Sequence, residues 1–172
     1  MSTTIPTPLP GITLRFAGEA DVGLVLGLIR ELAEYEKLLD QVVADEAVLG
    51  RHLFGEPRTA EVVLVCEHDE PVGFALFFHN FSTFLGRRGL YLEDLYVRPA
   101  YRGRGLGKLL LGFLARLALE RDCGRIDWWV LDWNTPAIGF YRRLGAVAMD
   151  EWTVYRLAGE ALAGLARSAP PV

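Results

Sequence analysis

Residues 98–124 read RPAYRGRGLGKLLLGFLARLALERDCG. Within them, Arg102 to Gly107 places two arginines and three glycines in six positions. Before this segment, Leu90 to Val97 is a short β-prone run, and Pro99 breaks it. After it, Leu106, Leu110, Phe113, Leu114 and Leu117 recur at helical spacing as far as Arg121, with Gly124 as the stop. The order is strand, glycine loop, helix. The first N–H groups of a helix have no internal partners and carry partial positive charge. Glycines let a ligand approach the backbone closely. Together they form an anion cradle suited to a diphosphate, with Arg102, Arg104 and Lys108 adding charge at its rim. The spacing is G-x-G-x-G, which is neither the dinucleotide G-x-G-x-x-G nor a nucleoside-triphosphate loop ending in G-K-[S/T].

Working outward, Ile12–Ala17 alternates like a first strand. Asp21–Leu38 is an amphipathic helix, with Val22, Val25, Leu26, Ile29, Leu32 and Ala33 on one face. Residues 44–54 suggest a shorter helix, 61–67 a β-branched strand, His68–Pro71 a turn and 72–81 a returning strand. Residues 125–133 extend the β pattern. A helix then begins at Thr135-Pro136, capped by Thr135 or Asn134, and ends at Gly145. Ala146–Met149 and Trp152–Leu157 predict a closing hairpin, and Glu160–Arg167 a short helix. Strands and helices alternate only in the second half. The expected class is α/β (α+β), with a mixed sheet that is antiparallel early and parallel later, flanked by helices. Residues 1–172 read as one domain, with 1–11 a loose lead-in and 158–172 a C-terminal helix and tail.

Composition narrows the function. The chain has 172 residues, a formal charge of −4 and no basic block, which argues against nucleic acid as partner. A mildly acidic chain suits a cationic small substrate better. Apolar runs fall short of the ~18 residues that a membrane span needs. The first residues lack the features of a signal peptide, so a cytoplasmic location is expected. Cys66 and Cys123 read as reduced, buried thiols. His52, His68 and His79 show no ligand spacing, so no metal is expected.

Three segments together resemble a known family. Arg102-x-x-Gly105-x-Gly107 matches the pyrophosphate loop of the GNAT superfamily of N-acetyltransferases. YLEDLYVRPAYRGRGLGK (91–108), LDWNTPAIGFYRRLGA (131–146) and IRELAEYEKL (29–38) are similar to its diamine (polyamine) and thialysine acetyltransferase branch. The resemblance runs from about Ile12 to Leu157. It implies a GNAT fold whose central parallel strands splay apart, and acetyl-CoA as the acyl donor, with CoA as product. Backbone groups of Leu95, Tyr96 and Val97 would pair with pantetheine. Gly103, Arg104, Gly105, Leu106, Gly107 and Lys108, with Arg102, would hold the diphosphate. Asn134, Thr135, Pro136 and Ala137 would line the cofactor from the other side. Unpaired donors and acceptors on separated strands suit an amide-rich ligand.

The resemblance also implies catalytic roles. Tyr141, seven residues after Asn134, would protonate the leaving thiolate as general acid. Glu93 would anchor the amine and accept its proton, directly or through water. Side chains of neighbouring strand residues point to opposite faces, so only one of Glu93 and Asp94 lines the cleft unless a bulge rotates them. A backbone N–H near Leu95 would stabilise a developing oxyanion. Tyr35, Glu36, Asp94, Asp127, Trp128 and Trp129 would contact the substrate. The branch is commonly homodimeric.

Met149–Leu157 reads MDEWTVYRL, with its acidic residues displaced relative to the polyamine enzymes. A lysine-like amine such as thialysine is therefore at least as good an acceptor as a polyamine. The leading expectation is acetyl transfer to a small primary amine by direct attack in a ternary complex. A protein or peptide N-acetyltransferase, and a non-catalytic acyl-CoA sensor on the same fold, remain as alternatives.

Overall fold

The computed structural model describes residues 3–170. The chain comprises two compact units, the first running to Trp129 and the second beginning at Val130.

Among the described residues of the first unit, six strands form one sheet in the order in which they occur along the chain: β1 (Ile5–Pro6), β2 (Ile12–Phe16), β3 (Glu61–Glu67), β4 (Glu70–Ser82), β5 (Arg87–Val97) and β6 (Ile126–Trp128). All neighbours are antiparallel except β5 and β6, which are parallel. Parallel pairing requires a long crossover, and helix α3 (Leu106–Glu120) supplies it. The sheet is mixed, as the sequence predicts.

Each face of the sheet has its own cover. Val62, Leu64 and Cys66 of β3, Phe74 and Leu76 of β4, and Tyr96 of β5 share one buried cluster with Val25, Leu28 and Leu32 of α1 (Val22–Tyr35) and Leu53 of α2 (Glu46–Phe54). Strand alternation sends Phe16 and Phe77 to the opposite face. There, Phe16 meets Phe113 of α3 edge-on at 5.9 Å, and the Arg121 guanidinium lies 5.8 Å from the Phe77 ring. Arg121 also forms a bidentate ion pair with Glu61. Leu106, Leu110 and Leu114 bury the inner stripe of α3.

Four sequence expectations need correction. The lead-in is partly ordered: Ile5 and Pro6 pair with Leu14 and Thr13 as an edge strand, where a proline's missing N–H does little harm. Gly124 does not end α3. The chain leaves the helix at Asp122, φ 54°, a conformation that aspartate tolerates. Gly124 instead allows close packing, because a Cβ there would lie 2.8 Å from Leu85. The strand predicted over 125–133 is only Ile126–Trp128.

The second unit contains α4 (Thr135–Arg143) and α5 (Gly159–Ala166). Here the predicted hairpin over 146–157 forms only its turn, in which the Trp152 N–H donates to the Met149 carbonyl at 3.1 Å. Two isolated strands without a third are marginal, so β-propensity alone does not create them.

Candidate functional site

The glycine loop occupies the strand-to-helix position expected of it. Gly103 and Gly105 have φ of +75° and +84°, which side-chain-bearing residues rarely adopt. Gly105 is the N-cap of α3 and offers no side-chain cap to the first turn. A Cβ built at either glycine would meet nothing within 4 Å, so the loop borders open space. The uncapped helix N-terminus and open backbone fit a diphosphate. Arg102, Arg104 and Lys108 are exposed around it.

The loop arginines are already engaged. Arg104 forms an ion pair with Glu67 at the end of β3 and lies 5.7 Å from the Tyr101 ring. The Glu67 carboxyl is held below its ordinary range, chiefly by that hydrogen bond. Arg102 donates from Nε to the Val97 carbonyl at 2.8 Å. Its guanidinium carbon lies 4.5 Å from the Tyr35 ring centroid and 5.5 Å from that of Tyr96. Tyr35, expected at the substrate, therefore also touches the glycine loop.

The strand leading into the loop is β5. Its parallel pairing with β6 covers only Leu90 to Leu92, opposite Ile126 to Trp128. Glu93 to Val97 continue beyond the end of that ladder, so their backbone on the β6 side is not used in it. Leu95, Tyr96 and Val97, expected to pair with pantetheine, lie beyond the end of that ladder. On the other side, Leu76 pairs with Asp94 and Phe77 with Leu92, which leaves Glu93 as the extra residue of a β-bulge.

The bulge answers the question posed by two adjacent carboxylates. Asp94 opposes Leu76 and stands two residues before Tyr96, so it belongs to the face covered by α1. Burial there, then the charge of Glu93, then that of Glu36 push its carboxyl up to about 7. Glu36, the residue that closes α1, is also raised by burial. Glu36, Glu93 and Asp94 are thus brought together as one acidic cluster.

Further along the same face, Tyr91 packs on Phe78 at 5.0 Å and meets Trp129 edge-on at 5.9 Å. Burial, with Glu93 and Asp127 nearby, raises its phenol to about 12. Asp127 accepts from Arg125 at 2.7 Å and from Asn80 at 3.1 Å. It is therefore matched by a cation of its own. Trp128, on β6, is partly buried. Sequence reasoning misses Phe78, Asn80 and Tyr91. Alternation from Glu93 is a signal that could flag Tyr91, whereas the β4 residues depend on register.

In the second unit, Asn134 is the N-cap of α4, its side chain accepting from the Ala137 N–H at 3.3 Å. Thr135, Pro136 and Ala137 form the first turn, and Tyr141 follows on the same helix with its ring 5.3 Å from that of Phe140.

The chain is similar to known proteins along most of its length. The Acetyltransferase (GNAT) family profile matches residues 29–146. A thialysine N-epsilon-acetyltransferase of Bos taurus is 41% identical over 166 residues, covering 90% of this chain and 97% of the relative. An L-ornithine N5-acetyltransferase of Arabidopsis thaliana is 34% identical, covering 87% of this chain and 85% of the relative. Among solved structures, an integron cassette protein from the mobile metagenome of V. cholerae superposes with a TM-score of 0.78 at 29% identity. That match covers 92% of this chain and 99% of the other.

Proposed function

The chain belongs to the GNAT family of acetyltransferases, and from that premise we propose that its acceptor is the primary amine of a small lysine-like molecule, of the thialysine or ornithine class. The observation that carries this reading is the Glu36–Glu93–Asp94 cluster at the β5 bulge, on the strand that leads into the glycine loop. Three carboxylates favour a cation, and a small alkylamine arrives as one, since an alkylammonium has a pKa of about 10.4.

The donor is acetyl-CoA, which brings a thioester-activated acetyl group. Backbone N–H groups from Gly103 to Lys108 hold its diphosphate, with Arg102 and Arg104 at the rim. The backbone of Leu95, Tyr96 and Val97, beyond the β5–β6 ladder, pairs with the amide-rich arm. The matched motif assigns Asn134, Thr135, Pro136 and Ala137 to the cofactor as well.

Only a neutral amine attacks, so the ammonium must lose a proton. Glu93 anchors it, and the proton leaves toward the Glu93–Asp94 pair, directly or through water. An ordinary aspartate is a poor acceptor, about 6.6 pK units below the ammonium. Asp94, at about 7, narrows the gap to about 3.4 units, and its pKa lies near the working pH where a general base is most effective. The Leu95 N–H is the donor for developing negative charge. Tyr141 holds, on its phenol oxygen, the proton for the departing thiolate. Direct attack in a ternary complex needs no covalent enzyme intermediate and draws on holding the two reactants together. The resemblance to a branch that is commonly homodimeric supports a homodimer.

Thiol release from acetyl-CoA across an amine panel tests this reading. The panel holds thialysine, lysine, ornithine, spermidine, putrescine and a histone-tail peptide. Turnover of a lysine-like amine, reduced about 100-fold or more in Tyr141→Phe, is expected. Faster acetylation of the peptide than of any free amine would refute it. CoA binding without turnover on any amine would point instead to a sensor.

A further inference from the structure

We propose that Tyr35 is a positioning residue for the cofactor loop, acting through Arg102. This rests on the reading that the glycine loop receives a diphosphate. Tyr35 is the last residue of α1, and Arg102 is the first residue of the loop. The two are far apart in sequence, yet the guanidinium carbon of Arg102 lies 4.5 Å from the Tyr35 ring centroid. The Tyr96 ring centroid is 5.5 Å from the same carbon. A cation over an aromatic face is held by the ring's quadrupole, and arginine's flat group also stacks there.

The hydrogen bonding adds direction. Arg102 uses Nε to reach the Val97 carbonyl, at 2.8 Å. Nε sits beside the side-chain stem, so the terminal nitrogens are the part of the fork whose direction the two rings set. An arginine on a glycine-rich loop otherwise samples many rotamers, and ordering a long side chain on binding carries an entropic penalty. Rings that order it beforehand remove that penalty from diphosphate binding. Val97 is the last residue of β5, so this contact ties loop, strand and the end of α1 together. Glu36 follows Tyr35 directly and acts on Asp94. The end of α1 therefore serves the cofactor loop with one residue and the acidic cluster with the next.

The test is a binding measurement that needs no turnover. Calorimetry gives Kd for CoA and for pantetheine, which lacks the diphosphate and nucleotide, with wild type, Tyr35→Phe and Tyr35→Leu. Tyr35→Leu should weaken CoA about fivefold, equivalent to about 1 kcal/mol at 1.4 kcal/mol per tenfold. Pantetheine binding should not change, and Tyr35→Phe, which keeps the ring, should bind CoA as wild type does. Should Tyr35→Leu fail to fold, Tyr35→Met gives the same comparison. Equal loss for both ligands would mean that Tyr35 only supports the local structure, and no loss for either would mean that the contact is idle. Both results overturn the proposal while leaving the acetyltransferase reading intact. A wild-type chain that binds no CoA overturns both.

Discussion

Replacing Asp94 with asparagine should stabilise this protein at alkaline pH and leave it nearly unchanged in acid. An aspartate ordinarily titrates at 3.8, whereas the Asp94 carboxyl is pushed up to about 7 by burial, Glu93 and Glu36. Between those values the folded chain binds a proton that the unfolded chain has released. Stability therefore falls as pH rises through that window, and the loss is complete above about 7. The span from 3.8 to about 7, at about 1.36 kcal/mol per pH unit, caps the effect near 4 kcal/mol. Local water and relaxation reduce this, and about 2 kcal/mol is expected. Other acids act in the opposite sense. Asp21, held low chiefly by Arg15, and Glu61, held low chiefly by Arg121, add stability as pH rises. The wild-type profile mixes both signs, so the informative quantity is the difference between Asp94→Asn and wild type. Urea unfolding at pH 4.5, 6 and 8 measures it. The variant's advantage should grow steadily across the series. Parallel profiles, agreeing within about 0.5 kcal/mol at every pH, would show that Asp94 titrates as an ordinary aspartate. The case for it as proton acceptor would then fall.

Two further substitutions probe the scaffold around the loop. Gly105→Ala should lose about 1–2 kcal/mol in urea unfolding, because φ there is +84°; the space around the new methyl is open, so no clash adds to it. A loss well above that range would mean that the loop is more tightly enclosed than its geometry indicates. Leu110→Ala, deep on the inner stripe of α3, should lose about 2–5 kcal/mol by leaving a cavity, and a loss below 1 kcal/mol would refute the packing described for that helix.

Signals carried by near neighbours are legible in the amino-acid sequence itself. The stripe on α1, the cap at Asn134 and the glycines before α3 each act within a few residues, and each element forms close to where its pattern places it. Expectations fail where formation depends on a distant partner. Residues 125–133 and 146–157 are rich in β-formers, yet a strand exists only where another chain segment completes its ladder, and just Ile126–Trp128 finds one. The reverse holds for Ile5–Pro6, whose composition looks unstructured but which β2 pairs into the sheet.

The candidate site divides along the same line. Residue types, their order and the glycine spacing are enough to identify the family and to nominate the loop, the paired carboxylates and Tyr141 as candidates, because these are properties of the chain read locally. Which of Glu93 and Asp94 turns inward cannot be read that way. Side chains alternate with a period of two, so one inserted residue reverses every face beyond it, and that insertion is visible only as a mismatch between β4 and β5. The raised Asp94 carboxyl and the seat of Arg102 on Tyr35 likewise arise from through-space contacts, since burial and charge depend on what the fold brings near and not on what is adjacent in sequence.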